Sequence, residues 1–116
     1  MNNITITDLQ KCDIRIGKVL SAERVEGSGK LLKLSVDLGE ETPRQILSGI
    51  AKVVEPEALV GKLVPVVTNL EPREMMGLVS QGMILCADDP STELRTGGGP
   101  VLLHPTKDVP PGSIVK

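Results

Sequence analysis

Leu32, Leu34, Val36 and Leu38 alternate with Lys33, Ser35 and Asp37. Only an extended chain sends every second side chain to one face, so this stretch reads as a strand with one face inward and one face wet. A helix would scatter the same four aliphatics around its circumference. One half-buried strand needs partners, and the chain offers several. Asp13 to Glu26 reads as a long strand on which Ile14 and Ile16 share a face. Its alternation becomes ambiguous at Val19-Leu20, just after Gly17, and a glycine where the phase slips suggests a bulge or sharp bend. Gly39 to Pro43 turns the chain, and Arg44 to Leu47 pairs back. Leu63 to Leu70 is a further strand, with Pro65 implying a start or an edge. Met83 to Ala87 follows. Val101-Leu102-Leu103 and Ile114-Val115 are late strands on either side of a Pro110-Pro111-Gly112 turn, and Asp88 to Pro100 is expected to be loop.

Two short helical pieces interrupt the strands. Thr7 to Lys11 is predicted to form one turn capped by Thr7 or Asp8. Glu55 to Gly61 reads as a short helix, with Pro56 in its first turn, acids at its positive end and Gly61 stopping it. Five or more short strands with a helix after the third predict an all-β domain, an OB-fold five-stranded Greek-key barrel with one short helix and C-terminal extension strands. The 116 residues make one domain, 1–116. Its core has to be Val, Ile, Leu and Met, since the chain has no Phe, Tyr or Trp.

Catalytic chemistry finds little support. The one histidine, His104, precedes Pro105 and has no metal-ligand or nucleophile partner in sequence. Ser48 and Ser80 lie beside glycines without nucleophile-elbow spacing. The glycine-rich segments lack a phosphate-loop lysine. Cys12 and Cys86 lie far apart, and Cys86 sits in an apolar run, as a small core hydrophobe would. Asp88-Asp89 reads as a solvated turn. No cofactor or metal is expected, and no leader or membrane-length apolar run is present, so a cytoplasmic protein is expected. A net charge of −2 excludes indiscriminate polyanion binding and leaves only a local basic patch. Eight Lys/Arg against six Asp/Glu fall between Lys11 and Lys52, and the rest of the chain is net acidic.

The least generic stretch runs from Asn69 to Ala87. It joins two apolar strands through Pro72, the charged step Arg73-Glu74, and two glycines, Gly77 and Gly82. Loops held by a rigid scaffold are where binding residues tend to sit. The pattern Asn-Leu-x-Pro-Arg-x-Met-x-Gly-x-x-Ser-Gln-Gly-Met from Asn69 to Met83 resembles the core motif of a tRNA-binding domain family. That family includes the C-terminal appendage of bacterial methionyl-tRNA synthetases and free-standing dimeric tRNA-binding proteins. Asp13 to Val19, Val25 to Leu32 with Asp37-Leu38-Gly39, Ser48-Gly49-Ile50 and Pro111-Gly112 agree with it. The resemblance covers the chain from about Asp8 to its end.

The resemblance implies an OB fold, a homodimer formed through the C-terminal strands, and a non-catalytic module that binds tRNA, with a methionyl-tRNA synthetase as a further partner. Asn69, Arg73, Ser80, Gln81 and Met83 match its motif and would face RNA. Lys30, Lys33, Arg44 and Lys52 are the accompanying basic residues. The chain departs from the family at Glu74 and Met76, where many relatives carry basic residues. With no ring to offer except His104, stacking of unpaired bases is a poor mode, and shape fit to a folded RNA remains. A secretion-chaperone branch of the same family offers the rival expectation. There, Met75 and Met76 on an exposed loop would hold unfolded polypeptide.

Overall fold

The computed structural model describes residues 2–89 and 99–116. In chain order the elements are helix α1 (Ile6–Leu9), strands β1 (Ile14–Arg24), β2 (Leu32–Asp37) and β3 (Arg44–Ser48), and helix α2 (Pro56–Leu59). Strands β4 (Leu63–Val67), β5 (Arg73–Met75), β6 (Leu78–Ser80), β7 (Met83–Ile84), β8 (Cys86–Asp89) and β9 (Gly99–Leu102) follow. The main sheet has the order β3-β2-β1-β4-β7 and is antiparallel throughout. It curls into a nearly closed barrel, the OB-like architecture expected.

Strand β1 makes the curl possible by serving two neighbours. Residues 18–24 pair with β2 and residues 14–18 with β4. The irregularity lies between Val19 and Ser21, where the alternation of the sequence is lost. Leu20 is the extra residue, turned outward and exposed, so Val19 and Ala22 can both face the core. Gly17 has a different task. A Cβ there would stand 2.5 Å from Val36 Cγ1 and 3.0 Å from Leu38 Cδ2, so only glycine lets the two strands close on the core.

The alternation in β2 does what its pattern requires. Leu32, Leu34 and Val36 are almost fully buried with Val19, Ile46, Val64 and Val66, and Leu59 from α2 plugs the same core. Each such side chain contributes about 1.5–3 kcal/mol on burial. Pro65 sits inside β4 opposite Ile16, further in than an edge reading suggests. The arrangement is tolerated because Ile16 turns its backbone groups the other way, its N–H to Ser113 and its C=O to the N–H of Gly112.

Several boundaries differ from the sequence reading. Helix α1 starts earlier than expected because Thr5 caps it. The Thr5 hydroxyl accepts the Asp8 N–H at 3.0 Å, and the Asp8 carboxylate accepts the Thr5 N–H at 3.3 Å, a reciprocal box. The expected strand from residue 83 to 87 is two strands, β7 and β8, which pair with different partners. Strand β8 runs on through Asp88 and Asp89 and pairs with β9, so both ends of the expected loop are extended. The rest of that loop, residues 90–98, lies outside the described residues. The last segment contributes one bridge, Arg15 to Ile114. It fills the edge of β1 that β2 leaves bare, with Val115 N–H donating to Ile14 C=O at 2.8 Å. His104 lies beyond β9, where its Nδ1 donates to the Leu63 carbonyl at 2.7 Å. No described helix is long and apolar enough to cross a membrane.

Candidate nucleic-acid interface

The stretch after β4 is a hairpin, not an open loop. Strands β5 and β6 pair in register through Met75 and Leu78, leaving Met76-Gly77 as a two-residue turn. Both turn residues are left-handed, with φ of 54° and 77°. That twist matches the flanking strands, which is why such turns favour glycine at the second position, and Gly77 meets the demand. The hairpin folds back on the barrel. Met75 and Leu78 pack on Val25, Leu31 and Leu47, a second small apolar cluster beside the main core. At its tip the Met76 methyl comes within 3.4 Å of where a Cβ on Gly27 would stand, so the hairpin reaches the β1–β2 turn.

Behind the hairpin, the outer edge of β3 has no backbone ladder to complete it. Two motif side chains stand in for one. The Ser80 hydroxyl accepts the Leu47 N–H at 2.9 Å and donates to the Gly82 carbonyl at 3.0 Å. The Gln81 side-chain oxygen accepts the Gln45 N–H at 2.9 Å, while the Gln81 N–H returns to the Gln45 carbonyl at 2.8 Å. The Gln45 amide then donates to Val79 C=O at 2.8 Å. Ser80 is 4% exposed, so its hydroxyl is spent inside the protein.

Arg44 finishes the seam at the barrel mouth. It is opposite the fully buried Val36, and its Nη1 donates to the carbonyls of Thr68 at 2.6 Å and Gln81 at 3.0 Å. Its Nε and Nη2 clasp both oxygens of Glu40, at 2.9 and 2.8 Å. Hydrogen bonding from Arg44 holds the Glu40 carboxyl below its usual range, and Glu40 raises Arg44 in turn. Asn69 ties the start of the motif to the N-terminal segment, accepting from Asp13 N–H at 2.9 Å and donating to Lys11 C=O at 2.7 Å. The Thr68 hydroxyl donates to the Asp13 carboxylate, as does Arg15 Nε, and these two bonds hold that carboxyl below its ordinary value.

Arg44, Asn69, Ser80 and Gln81 thus bind the protein's own frame through their side chains. Of the other five residues expected at the site, Lys33 is half-buried and the rest are exposed, as Asn69 and Gln81 also are. Lys30, Lys52 and Arg73 are exposed and make no ion pair among the described residues. The Ala51 N–H donates to Lys30 C=O at 2.9 Å, which brings the Lys30 and Lys52 segments together. Lys33 points outward from β2 and pairs with Glu23 at 3.2 Å. Met83 is exposed on β7 opposite Val67.

A groove of about 300 Å³ lies on the outer face of β1, β2 and β3. Its lining includes Ser21, Glu23, Lys33, Ser35, Arg44 and Gln45. Of these Lys33 and Arg44 stood out in the sequence, and the others did not, because short polar residues on a wet strand face carry no motif. Their signal was the outward half of the β2 alternation itself. Burial pushes the Cys86 thiol above its ordinary value, which suits an inert core residue.

The chain matches the family model described as putative tRNA binding domain over residues 14–114. It is 53% identical over 112 residues to a methionine–tRNA ligase of Archaeoglobus fulgidus, covering 97% of this chain and 16% of the relative. It is 46% identical over 114 residues to the corresponding ligase of Helicobacter pylori, covering 98% of this chain and 16% of that one. The chain therefore spans about one-sixth of the length of these relatives. Among solved structures, a MetRS-related protein from Pyrococcus horikoshii superposes with a TM-score of 0.90 at 34% identity, over the whole of both chains. The chaperone CsaA from Bacillus anthracis superposes at 0.83 with 28% identity, covering 99% of this chain and 100% of that one.

Proposed function

The chain belongs to the putative tRNA-binding domain family, and from that premise we propose that it docks without catalysis on folded tRNA in the cytoplasm. The observation that carries the mode is the division of labour in the motif. Its polar residues hold the hairpin and seam, and Arg73, Lys30 and Lys52 have no ion-pair partner among the described residues. Such cations take phosphates and fix orientation without reading sequence. With no Phe, Tyr or Trp in the chain, recognition rests on the shape of the RNA and its sugar hydroxyls. In this reading Lys30, Lys33, Lys52, Arg73 and Met83 meet the RNA. Arg44, Asn69, Ser80 and Gln81 position them.

The module acts beside or within a methionyl-tRNA synthetase, raising the local concentration of tRNA there. The ligase relatives, of which the matched region is a small part, support that partner. Titration against bulk tRNA and an unstructured RNA of equal length, at two salt concentrations, tests the proposal. Folded tRNA is expected to bind more tightly. Arg73→Ala is expected to weaken every tRNA alike and to lower the salt slope by about one unit. Equal or tighter binding of the unstructured RNA would overturn the mode. A peptide-binding reading rests on the likeness to CsaA and on Met76, 56% exposed at the hairpin tip. It expects denatured polypeptide, not tRNA, to protect that tip from modification.

The same proposal includes a homodimer through the C-terminal segment. Val101, Leu103, Ile114 and Val115 are each 40% exposed or more, an apolar surface that a two-fold partner would cover. Sedimentation at about 50 μM is expected to give twice the chain mass. A monomer at that concentration, at which a dimer with a Kd of about 1 μM would persist, would remove the dimer from the proposal.

A further inference from the structure

At the barrel mouth, a cluster of charged side chains joins the motif hairpin to the C-terminal segment. Arg15 Nη1 donates to the Gly112 carbonyl at 3.2 Å, and its Nε donates to the Asp13 carboxylate at 3.0 Å. That carboxylate also accepts the Thr68 hydroxyl. The Thr68 carbonyl accepts from Arg44 Nη1, which reaches the Gln81 carbonyl as well, while the other two Arg44 nitrogens hold Glu40. The motif hangs on this cluster at both ends. Asn69 accepts the Asp13 N–H at one end, and Gln81 offers its carbonyl to Arg44 at the other. The charges also feel one another across the mouth. After the hydrogen bonds from Thr68 and Arg15, the charge of Arg44 further lowers the Asp13 carboxyl, and Arg15 adds to Arg44 in lowering Glu40.

Both ends of this run of contacts are lightly held. The C-terminal segment adds one bridge to β1, between Arg15 and Ile114, and Ile114 is 60% exposed. The hairpin forms a two-stranded sheet of its own, fastened to β3 through the side chains of Ser80 and Gln81. Elements held by few bonds open at low cost, so a contact that biases one can bias the other. We propose that Arg15, Asp13 and Thr68 are positioning residues, through which the seated C-terminal segment holds the motif hairpin and its cations in the posture that docks on tRNA. The inference rests on the tRNA-binding reading and adds to it the residues that set the posture of the hairpin. Coupling between two sites is reciprocal, so tRNA held at the hairpin must steady the C-terminal segment by the same factor by which the segment favours tRNA.

Thr68→Val tests this. Thr68 is 8% exposed, too deep to serve as an RNA contact. Valine keeps its shape and the backbone bond from the N–H of residue 68 to the Asp13 carbonyl at 2.8 Å, and removes only the hydroxyl. The variant is expected to unfold cooperatively, to keep the sedimenting mass of the wild type, and to bind bulk tRNA about five-fold more weakly. Its salt slope is expected to stay unchanged, since no cation is lost. In the wild type, saturating tRNA is expected to slow amide exchange about five-fold at Gly112 and Val115 relative to Lys62, whose N–H closes α2 on the Leu59 carbonyl. In Thr68→Val that excess slowing is expected to vanish. Arg15→Lys keeps the charge, but an ammonium lacks the fork that spans Asp13 and Gly112, and it is expected to act as Thr68→Val does. Should Thr68→Val not fold, Arg15→Lys carries the same test. Unchanged tRNA affinity in the folded variants overturns the positioning role while tRNA binding stands. So does excess slowing that is absent in the wild type or persists in the variants. A wild type that binds no tRNA overturns the underlying function instead, so the two failures are distinguishable.

Discussion

Gly112→Ala is expected to lower the melting temperature by on the order of 10 °C, about 3 kcal/mol, when measured by thermal unfolding. Two independent strains add at this position. Gly112 has φ of +93°, and a Cβ there would stand 2.5 Å from the Leu38 carbonyl oxygen, a backbone atom that cannot swing aside. Across the contact, Gly39 is also left-handed, and its own Cβ would meet the Pro111 carbonyl at 2.8 Å. The last segment lies in the notch between these glycines and β1, with Arg15 Nη1 donating to the Gly112 carbonyl at 3.2 Å. Amide exchange should quicken first at Ile16, Gly112 and Val115, whose N–H groups make the junction. Gly49→Ala is the control, since a Cβ there meets nothing within 4 Å and its φ is not positive. Equal melting temperatures for the two variants would mean that the C-terminal segment contributes nothing to the fold.

Arg44→Met should cost about 3 kcal/mol, again by thermal or denaturant unfolding. Methionine keeps much of the aliphatic stem but leaves the Thr68 and Gln81 carbonyls without their charged donor. It also frees Glu40, whose carboxylate is held by both Arg44 nitrogens. Its side chain is 24% exposed, so water can satisfy only part of what is lost. Lys30→Met supplies the contrast. It should change stability by less than about 0.5 kcal/mol and act on RNA affinity and salt slope alone. If Arg44→Met leaves stability intact and only flattens the salt dependence, Arg44 is an RNA contact and its place in the seam is incidental.

Arg44 also shows how far the sequence could be read. The β2 alternation, the helix after the third strand and the glycine-marked turns were legible, because period-two burial and φ demands are local properties of the chain. Thr5 was missed as a cap although its spacing from Asp8 is visible in sequence, because Thr7 and Asp8 compete for the same role. The bulge was legible as the broken alternation at Val19-Leu20, but the glycine beside it answers a different constraint. Gly17 marks a close approach to Val36, and the register actually slips at Leu20. For the site, counting cations could not separate Arg44 from Lys30. One meets a carboxylate four residues earlier and two carbonyls far along the chain, and the other meets none among the described residues. Ser80 and Gln81 were recognised as a motif, but which way they face depends on an edge of β3 that exists only once the barrel has curled. Ser35 and Gln45 carried no signal beyond being polar on a wet face.

That edge of β3 has a further consequence. A backbone ladder is indifferent to which side chains it carries, so an ordinary sheet seam survives most substitutions. Here the Leu47 and Gln45 amides are met by the hydroxyl of one residue and the carboxamide of another. The joint that shuts this barrel is therefore written largely in side chains, those of Ser80 and Gln81 with Arg44 and Gln45 beside them, and a single base change can weaken it. A domain built this way inherits much of its closure as sequence, in the same thirteen-residue stretch from Asn69 to Gln81 that displays Arg73 to the outside. Selection on one must be felt by the other.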